Sequence, residues 1–109
     1  MARPGVKSVS GSLIRLAGLP PEGLSEMEGE VDGERQSIVL RRSGERVQAW
    51  LNICPHAGRR LDYAPGKFLL DHGRLVCAAH GASFELEQGV CVAGPCRGAS
   101  LVPLAVAVG

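Results

Sequence analysis

The chain has 109 residues and a formal net charge of +1, with 45% hydrophobic and 21% charged residues, which fits one domain with a modest core. That balance leaves no global basic field of the kind that binds nucleic acid, and no apolar run reaches the roughly eighteen residues a membrane span needs. Residues 1–12 carry Arg3 and Lys7 but no apolar segment, so they do not read as a secretory signal, and a cytoplasmic location is the default expectation.

In chain order, residues 1–10 are expected to form a flexible tail and residues 11–109 a single domain. Leu13-Ile14-Arg15-Leu16 reads as a first strand, ended by Gly18 and Pro20-Pro21. The stretch from Glu22 to Glu34 holds six acidic residues and no basic one, and stands out by charge alone. Gln36–Leu40 and Val47–Leu51 read as strands joined by the turn signal Ser43-Gly44-Glu45. Residues 59–66 read as loop, closed by Pro65-Gly66, and Arg74–Val76 as a short strand. Ser83–Leu86 and Val90–Val92 suggest a hairpin through Gln88-Gly89. Leu101–Val108 closes the chain, with Val102, Leu104, Val106 and Val108 on one face. No segment has a helical period, so the fold class is all-β.

The chemistry concentrates in two boxes, Cys54-Pro55-His56 and Cys77-Ala78-Ala79-His80, with twenty residues between them. Each pairs one thiol with one imidazole, and neither could hold a metal centre alone. A structural zinc site takes four such ligands, but with two to four residues between the members of a pair, so the single residue between Cys54 and His56 is tight. A Rieske-type 2Fe–2S cluster, with two His replacing two Cys on one iron, is the other centre that fits. Its length requires two opposed loops, each giving one Cys and one His. Gly58 and Gly81, just after the two histidines, let the backbone turn closely with no Cβ in the way.

The order Cys54-Pro55-His56-Ala57-Gly58, Cys77-Ala78-Ala79-His80-Gly81, Gly89, Gly94-Pro95 and Leu101 resembles the Rieske iron–sulfur family over roughly residues 47–104. The resemblance implies stacked antiparallel sheets with two cluster-binding loops at one tip. It also implies one 2Fe–2S cluster per chain, with Cys54 and Cys77 on the inner iron and His56 and His80 on the outer, reducible iron. Exchanging two thiolates for two neutral imidazoles removes negative charge, so such centres are reduced at about −150 to +300 mV against about −400 mV for plant-type ferredoxins. High-potential members of cytochrome bc complexes carry a Ser and a Tyr two and four residues after the second His, and a disulfide between the boxes. Here those positions are Ala82 and Phe84, and neither box has a second Cys, which points to a low-potential centre like that of a Rieske ferredoxin.

What this resemblance implies is a one-electron carrier, a ferredoxin component between a flavin reductase and a terminal oxygenase or reductase, and not an enzyme by itself. The small Rieske subunit of a nitrite-reductase-like complex is also similar. A zinc-stabilised binding module is the alternative of a different class, and a redox sensor a third reading that no residue favours. Among other residues, Cys91 and Cys96 read as two small, semi-buried thiols filling space in preference to a disulfide or a redox-active pair. His72 reads as a solvated loop residue, Trp50 as core, and Tyr63 as a lesser candidate for a hydrogen bond near the centre. Arg59, Arg60 and Arg97 form a basic tip that would steer docking to an acidic partner surface.

Overall fold

The computed structural model describes residues 7–20, 22–55, 58–78 and 81–108, with the backbone alone for residues 11–13. Among the described residues, nine strands follow one another: β1 (Lys7–Ile14), β2 (Glu22–Val31), β3 (Glu34–Ser43), β4 (Arg46–Leu51), β5 (Leu69–Asp71), β6 (Arg74–Val76), β7 (Ser83–Phe84), β8 (Cys91–Ala93) and β9 (Pro103–Val108). A 3-10 turn, Leu16–Gly18, follows β1. The described residues are thus nearly all-β, as the lack of helical periodicity requires, and no helix among them is long and apolar enough to cross a membrane.

The chain divides into two compact units, residues 1–51 with 103–109, and residues 52–102. In the first, β1, β2, β3, β4 and β9 close into a barrel. Consecutive strands pair antiparallel, β9 pairs antiparallel with β4, and β9 then meets β1 in parallel. The parallel pair departs from the expected antiparallel stacking, and the reason is parity. A barrel of five strands that alternate in direction must close on one pair running the same way. The core of this unit comes from β3 and β4, where Ile38, Val39, Leu40, Ala49, Trp50 and Leu51 are all buried, joined by Ile14, Val31 and Leu104. Trp50 is core, as its sequence context suggests.

Two differences from the sequence reading concern the start of this barrel. Residues 7–10, expected in a flexible tail, are paired strand: Lys7 and Ser8 face Leu104 and Ala105, and Val9 and Ser10 face Val31 and Glu30. Residues 1–6 lie outside the described part. The acidic stretch is also a strand, paired along its whole length with β3 from Glu22↔Ser43 to Val31↔Glu34. Its glutamates occupy alternate positions, with exposed Glu28 and Glu30 on one face and buried Gly29 and Val31 on the other. Like charges along one face are offset by Arg35, whose Nε donates to Glu28 at 2.8 Å, and by Lys7, 2.9 Å from Asp32. The two-residue turn Asp32-Gly33 has positive φ at both positions, 53° and 79°, the twist a tight hairpin favours.

The second unit holds an antiparallel sheet in the order β5-β6-β7-β8, with strands of two or three residues. His72 and Gly73 form its β5–β6 turn with φ of 52° and 76°, and His72 is exposed, with Nδ1 2.9 Å from the Asp71 carboxylate. The β7–β8 turn is held by the Glu85 carboxylate, which accepts from the backbone N–H groups of Glu87, Gln88 and Val90. The last strand begins at Pro103, and of its expected apolar face Leu104 is buried while Val102 and Val108 are exposed.

Candidate metal centre

Cys54 follows β4 by three residues and Cys77 follows β6 directly, and both thiols are almost completely buried. Each cysteine opens a loop of the same form. The Cys54 N–H donates to Arg59 O at 2.7 Å, and Cys54 O accepts from Gly58 N–H at 2.9 Å. The Cys77 N–H donates to Ala82 O at 2.7 Å, and Cys77 O accepts from Gly81 N–H at 2.9 Å. Both backbone groups of each cysteine are therefore used within its own loop, at offsets of four and five residues. The fourth residue is glycine in both, with φ of 67° and 73°, a conformation that other residues adopt only with strain. Pro55 adds stiffness after the first Cys by fixing its own φ and favouring an extended Cys54.

The loops are also anchored to one another. Asn52 Oδ1, buried just before the first box, accepts from Leu61 N–H at 2.9 Å, and Leu61 O accepts from Ala78 N–H at 3.3 Å. His56 and His80, the other two candidate ligands, lie outside the described residues. What the structure places is a pair of buried thiols, each at the mouth of a closed loop whose sequence contains one His. Two cysteines and two histidines on two loops of one form are the donor set that a 2Fe–2S centre with mixed ligands requires, and the residues present fit it.

A third loop packs against the second box. Gly94 has φ of 99°, and a Cβ there would meet Ala82 Cα at 2.9 Å. Cys96 on this loop has its Sγ 2.9 Å from Cys91 Sγ. All four cysteines are buried thiols. Burial, reinforced by the hydrogen bond and charge of Cys91 and then by Cys54, pushes the Cys96 thiol up to about 12. Ala82 and Phe84 are fully buried and bring no hydroxyl to the second box.

The basic tip is only partly as expected. Arg60 makes a two-pronged ion pair with Asp62, Nε to Oδ1 at 2.9 Å and Nη2 to Oδ2 at 2.8 Å. The Asp62 side chain is 1% exposed against 46% for Arg60, so this pair braces the first loop from within. Arg59 and Arg97 are exposed and, among the described residues, make no ion pair. Tyr63 is exposed, and its backbone N–H pairs with Lys67 O. Sequence reasoning passed over Asn52 and Asp62. Each is a polar residue flanked by apolar ones, Leu51-Asn52-Ile53 and Leu61-Asp62-Tyr63, a pattern that marks a buried polar brace.

Two expectations follow from these contacts. Gly94→Ala combines an unfavourable φ with a backbone clash, so it should cost about 1–3 kcal/mol and lower the iron bound per chain, both measurable on the purified protein. The hydrogen bonds from Arg60, against the opposing effect of burial and with help from Gly66 N–H and Asn52, hold Asp62 below its ordinary value of 3.8. A carboxylate lowered in the folded state adds stability above its unfolded pKa, and that stability is lost as pH falls through the lowered folded value. Arg60→Ala should therefore cost about 1–2 kcal/mol near neutrality, allowing for the half-exposed guanidinium. In urea unfolding, the gap between wild type and variant should close below pH 4. A gap that stays constant with pH would assign the loss to packing of the arginine stem.

A family model described as the Rieske [2Fe-2S] domain matches residues 21–106. Among solved structures, the chain is similar to the ferredoxin of carbazole 1,9a-dioxygenase from Nocardioides aromaticivorans IC177, with 25% identity and a TM-score of 0.58, over 91% of this chain and 86% of that one. No curated protein matches it.

Proposed function

The chain belongs to the Rieske [2Fe-2S] domain family, and from that premise we propose that it is a one-electron carrier, the ferredoxin component between a flavin reductase and a terminal oxygenase or other terminal oxidoreductase. The observation that carries this reading is the pair of closed loops of one form, each opening on a buried cysteine and each containing a histidine in its sequence. In this reading Cys54 and Cys77 hold the inner iron and His56 and His80 the outer iron. When bound, the cluster supplies a site that takes up and gives back one electron.

The remaining work falls to the protein. The loops bury the two cysteine sulfurs, which excludes water from the inner side of the site. Ala82 and Phe84 donate no hydrogen bond, and donors near cluster sulfurs stabilise the reduced state, so the potential belongs near the low end of the Rieske range. Exposed Arg59 and Arg97 supply positive charge that speeds encounter with an acidic partner surface. The similarity to the ferredoxin of a dioxygenase system supports this place in an electron-transfer chain, with chemistry on the final substrate left to the partner. A cytoplasmic location completes the proposal.

An EPR-monitored redox titration of the anaerobically purified protein tests the reading. It should give a rhombic signal, with average g below the free-electron value, that appears on reduction near the lower end of the roughly −150 to +300 mV range. Colourless protein with stoichiometric zinc would overturn it. In stopped-flow reduction by a flavin reductase, Arg59→Glu with Arg97→Glu should slow transfer severalfold and flatten its salt dependence. Arg60→Glu should act mainly by lowering stability. Unchanged rates and salt dependence in the first variant would leave Arg59 and Arg97 as ordinary solvated residues.

A further inference from the structure

Cys91 and Cys96 lie outside the four-ligand set, yet their backbone positions are tightly held. Cys91 opens β8, where its N–H donates to Ala99 O at 2.8 Å and its carbonyl accepts from Gly98 N–H at 3.0 Å. Cys96 is the third residue of a turn closed by Arg97 N–H donating to Gly94 O at 3.2 Å. Pro95 takes the second position of that turn, where its fixed φ is favoured. The Cys96 carbonyl accepts from Ala99 N–H at 2.8 Å, so both cysteines are tied to Ala99. This frame brings Cys96 Sγ to 2.9 Å from Cys91 Sγ, with both residues buried.

Non-bonded carbon atoms sit best at about 3.5–4.0 Å, and sulfur is the larger atom. The two thiols therefore stand closer than ordinary packing places them. The S–H of Cys96 is directed at Cys91 Sγ, and that of Cys91 at Ala93 O, 3.3 Å away. A disulfide holds its sulfurs about 2.05 Å apart, so the bond requires an approach of less than about 1 Å from the observed positions. Neither side chain has to leave the interior to make it.

We propose that Cys91 and Cys96 are a disulfide-forming pair, a covalent clasp that closes the third loop under oxidising conditions. The oxidant is a small-molecule disulfide of the glutathione class. Cys96, 8% exposed against 1% for Cys91, is the cysteine it reaches. The Cys96 sulfur gives up its proton and attacks one sulfur of the small disulfide, forming a mixed disulfide and expelling one small thiol. The Cys91 sulfur then loses its proton, attacks the Cys96 sulfur and expels the second. The two cysteines lose two electrons, the small disulfide gains both, and the two protons leave on the two small thiols. The bond encloses Gly94, which packs against Ala82 of the second box, so closure fastens that contact. In a reducing compartment the pair rests as two thiols. None of this depends on Cys54 and Cys77 holding a cluster.

The test equilibrates the folded protein, as purified, and the urea-unfolded chain anaerobically in the same mixtures of reduced and oxidised glutathione. Samples are quenched in acid, alkylated in denaturant, cleaved after glutamate and weighed by mass spectrometry. Cleavage after Glu87 releases residues 88–109, which hold Cys91 and Cys96 and no other cysteine. From the folded protein this peptide should be lighter by two hydrogens and closed to alkylation. Its ratio of closed to open form should exceed that of the unfolded chain by about tenfold or more. In Cys91→Ser the reaction should stop with one glutathione on Cys96, whereas Cys96→Ser should take up none on Cys91.

A peptide from the folded protein that stays open and doubly alkylated at every glutathione ratio would overturn the proposal. A closed fraction no larger than in the unfolded chain would do the same, since the fold would then give no help to the bond. Either result leaves the cluster reading standing, and a missing Rieske signal leaves the clasp standing.

Discussion

The two cysteines at the mouths of the loops spend both of their backbone hydrogen-bonding groups on the loop they open, and much of the second unit depends on that closure. A buried N–H or C=O left without a partner costs about 1–3 kcal/mol. Once Cys54 bonds to Gly58 and Arg59, and Cys77 to Gly81 and Ala82, no backbone strand is needed to satisfy either cysteine. The sulfurs can then sit inside the unit on short irregular segments. Asn52 and Asp62 complete the arrangement by satisfying Leu61 N–H and Gly66 N–H from side chains that are themselves buried. Among the described residues, no buried side-chain nitrogen or oxygen lacks a partner.

This design leaves the second unit short of ordinary core. Among its described residues nine buried apolar ones stand out, of which four are cysteines, beside Leu61, Leu75, Ala82, Phe84 and Leu101. Its strands have two or three residues, too short to carry a sheet by pairing alone. A unit of this size without a large aliphatic core usually needs a staple, and a metal centre bound by thiolates contributes its binding energy to folding. The barrel helps in a second way. It pairs Trp50 with Pro103, so the whole excursion from residue 52 to residue 102 begins and ends at hydrogen-bonded neighbours. The entropic cost of closing that excursion is met by barrel strands that pair in any case.

How much of this could be read from the chain depended on whether the signal was local. The paired boxes, the Gly44-Glu45 turn, and the strands at 36–40, 47–51 and 74–76 were legible because each is set by side-chain alternation or turn residues within a few positions. The likeness of the two loops was legible too, once glycines are counted from cysteine. Gly58 and Gly81 both lie four residues on, although they stand at different distances from His56 and His80. The acidic strand was hidden because Glu and Gly are poor strand formers, and its charge run drew attention from a period-two pattern in Glu26-Met27-Glu28-Gly29-Glu30-Val31. The Asp32-Gly33 hairpin turn would have exposed it. Strand pairing at residues 7–10, the parallel closure of the barrel and the packing of Gly94 against Ala82 depend on contacts distant in sequence, which no local pattern encodes.

The buried side chains around the cysteines set the polarity of the second unit's interior. Apolar Ala82 and Phe84 exclude water and offer no hydrogen bond, and a low-polarity surround disfavours the added negative charge of a reduced centre. A thiol suits such a place. Its hydrogen is a weak donor to neutral groups, so it costs little to bury. A hydroxyl at the same position would carry a larger desolvation cost in any form of the protein that lacks the centre. Packing the third loop with Cys91 and Cys96 therefore fills buried space with small groups that behave as hydrophobes during folding.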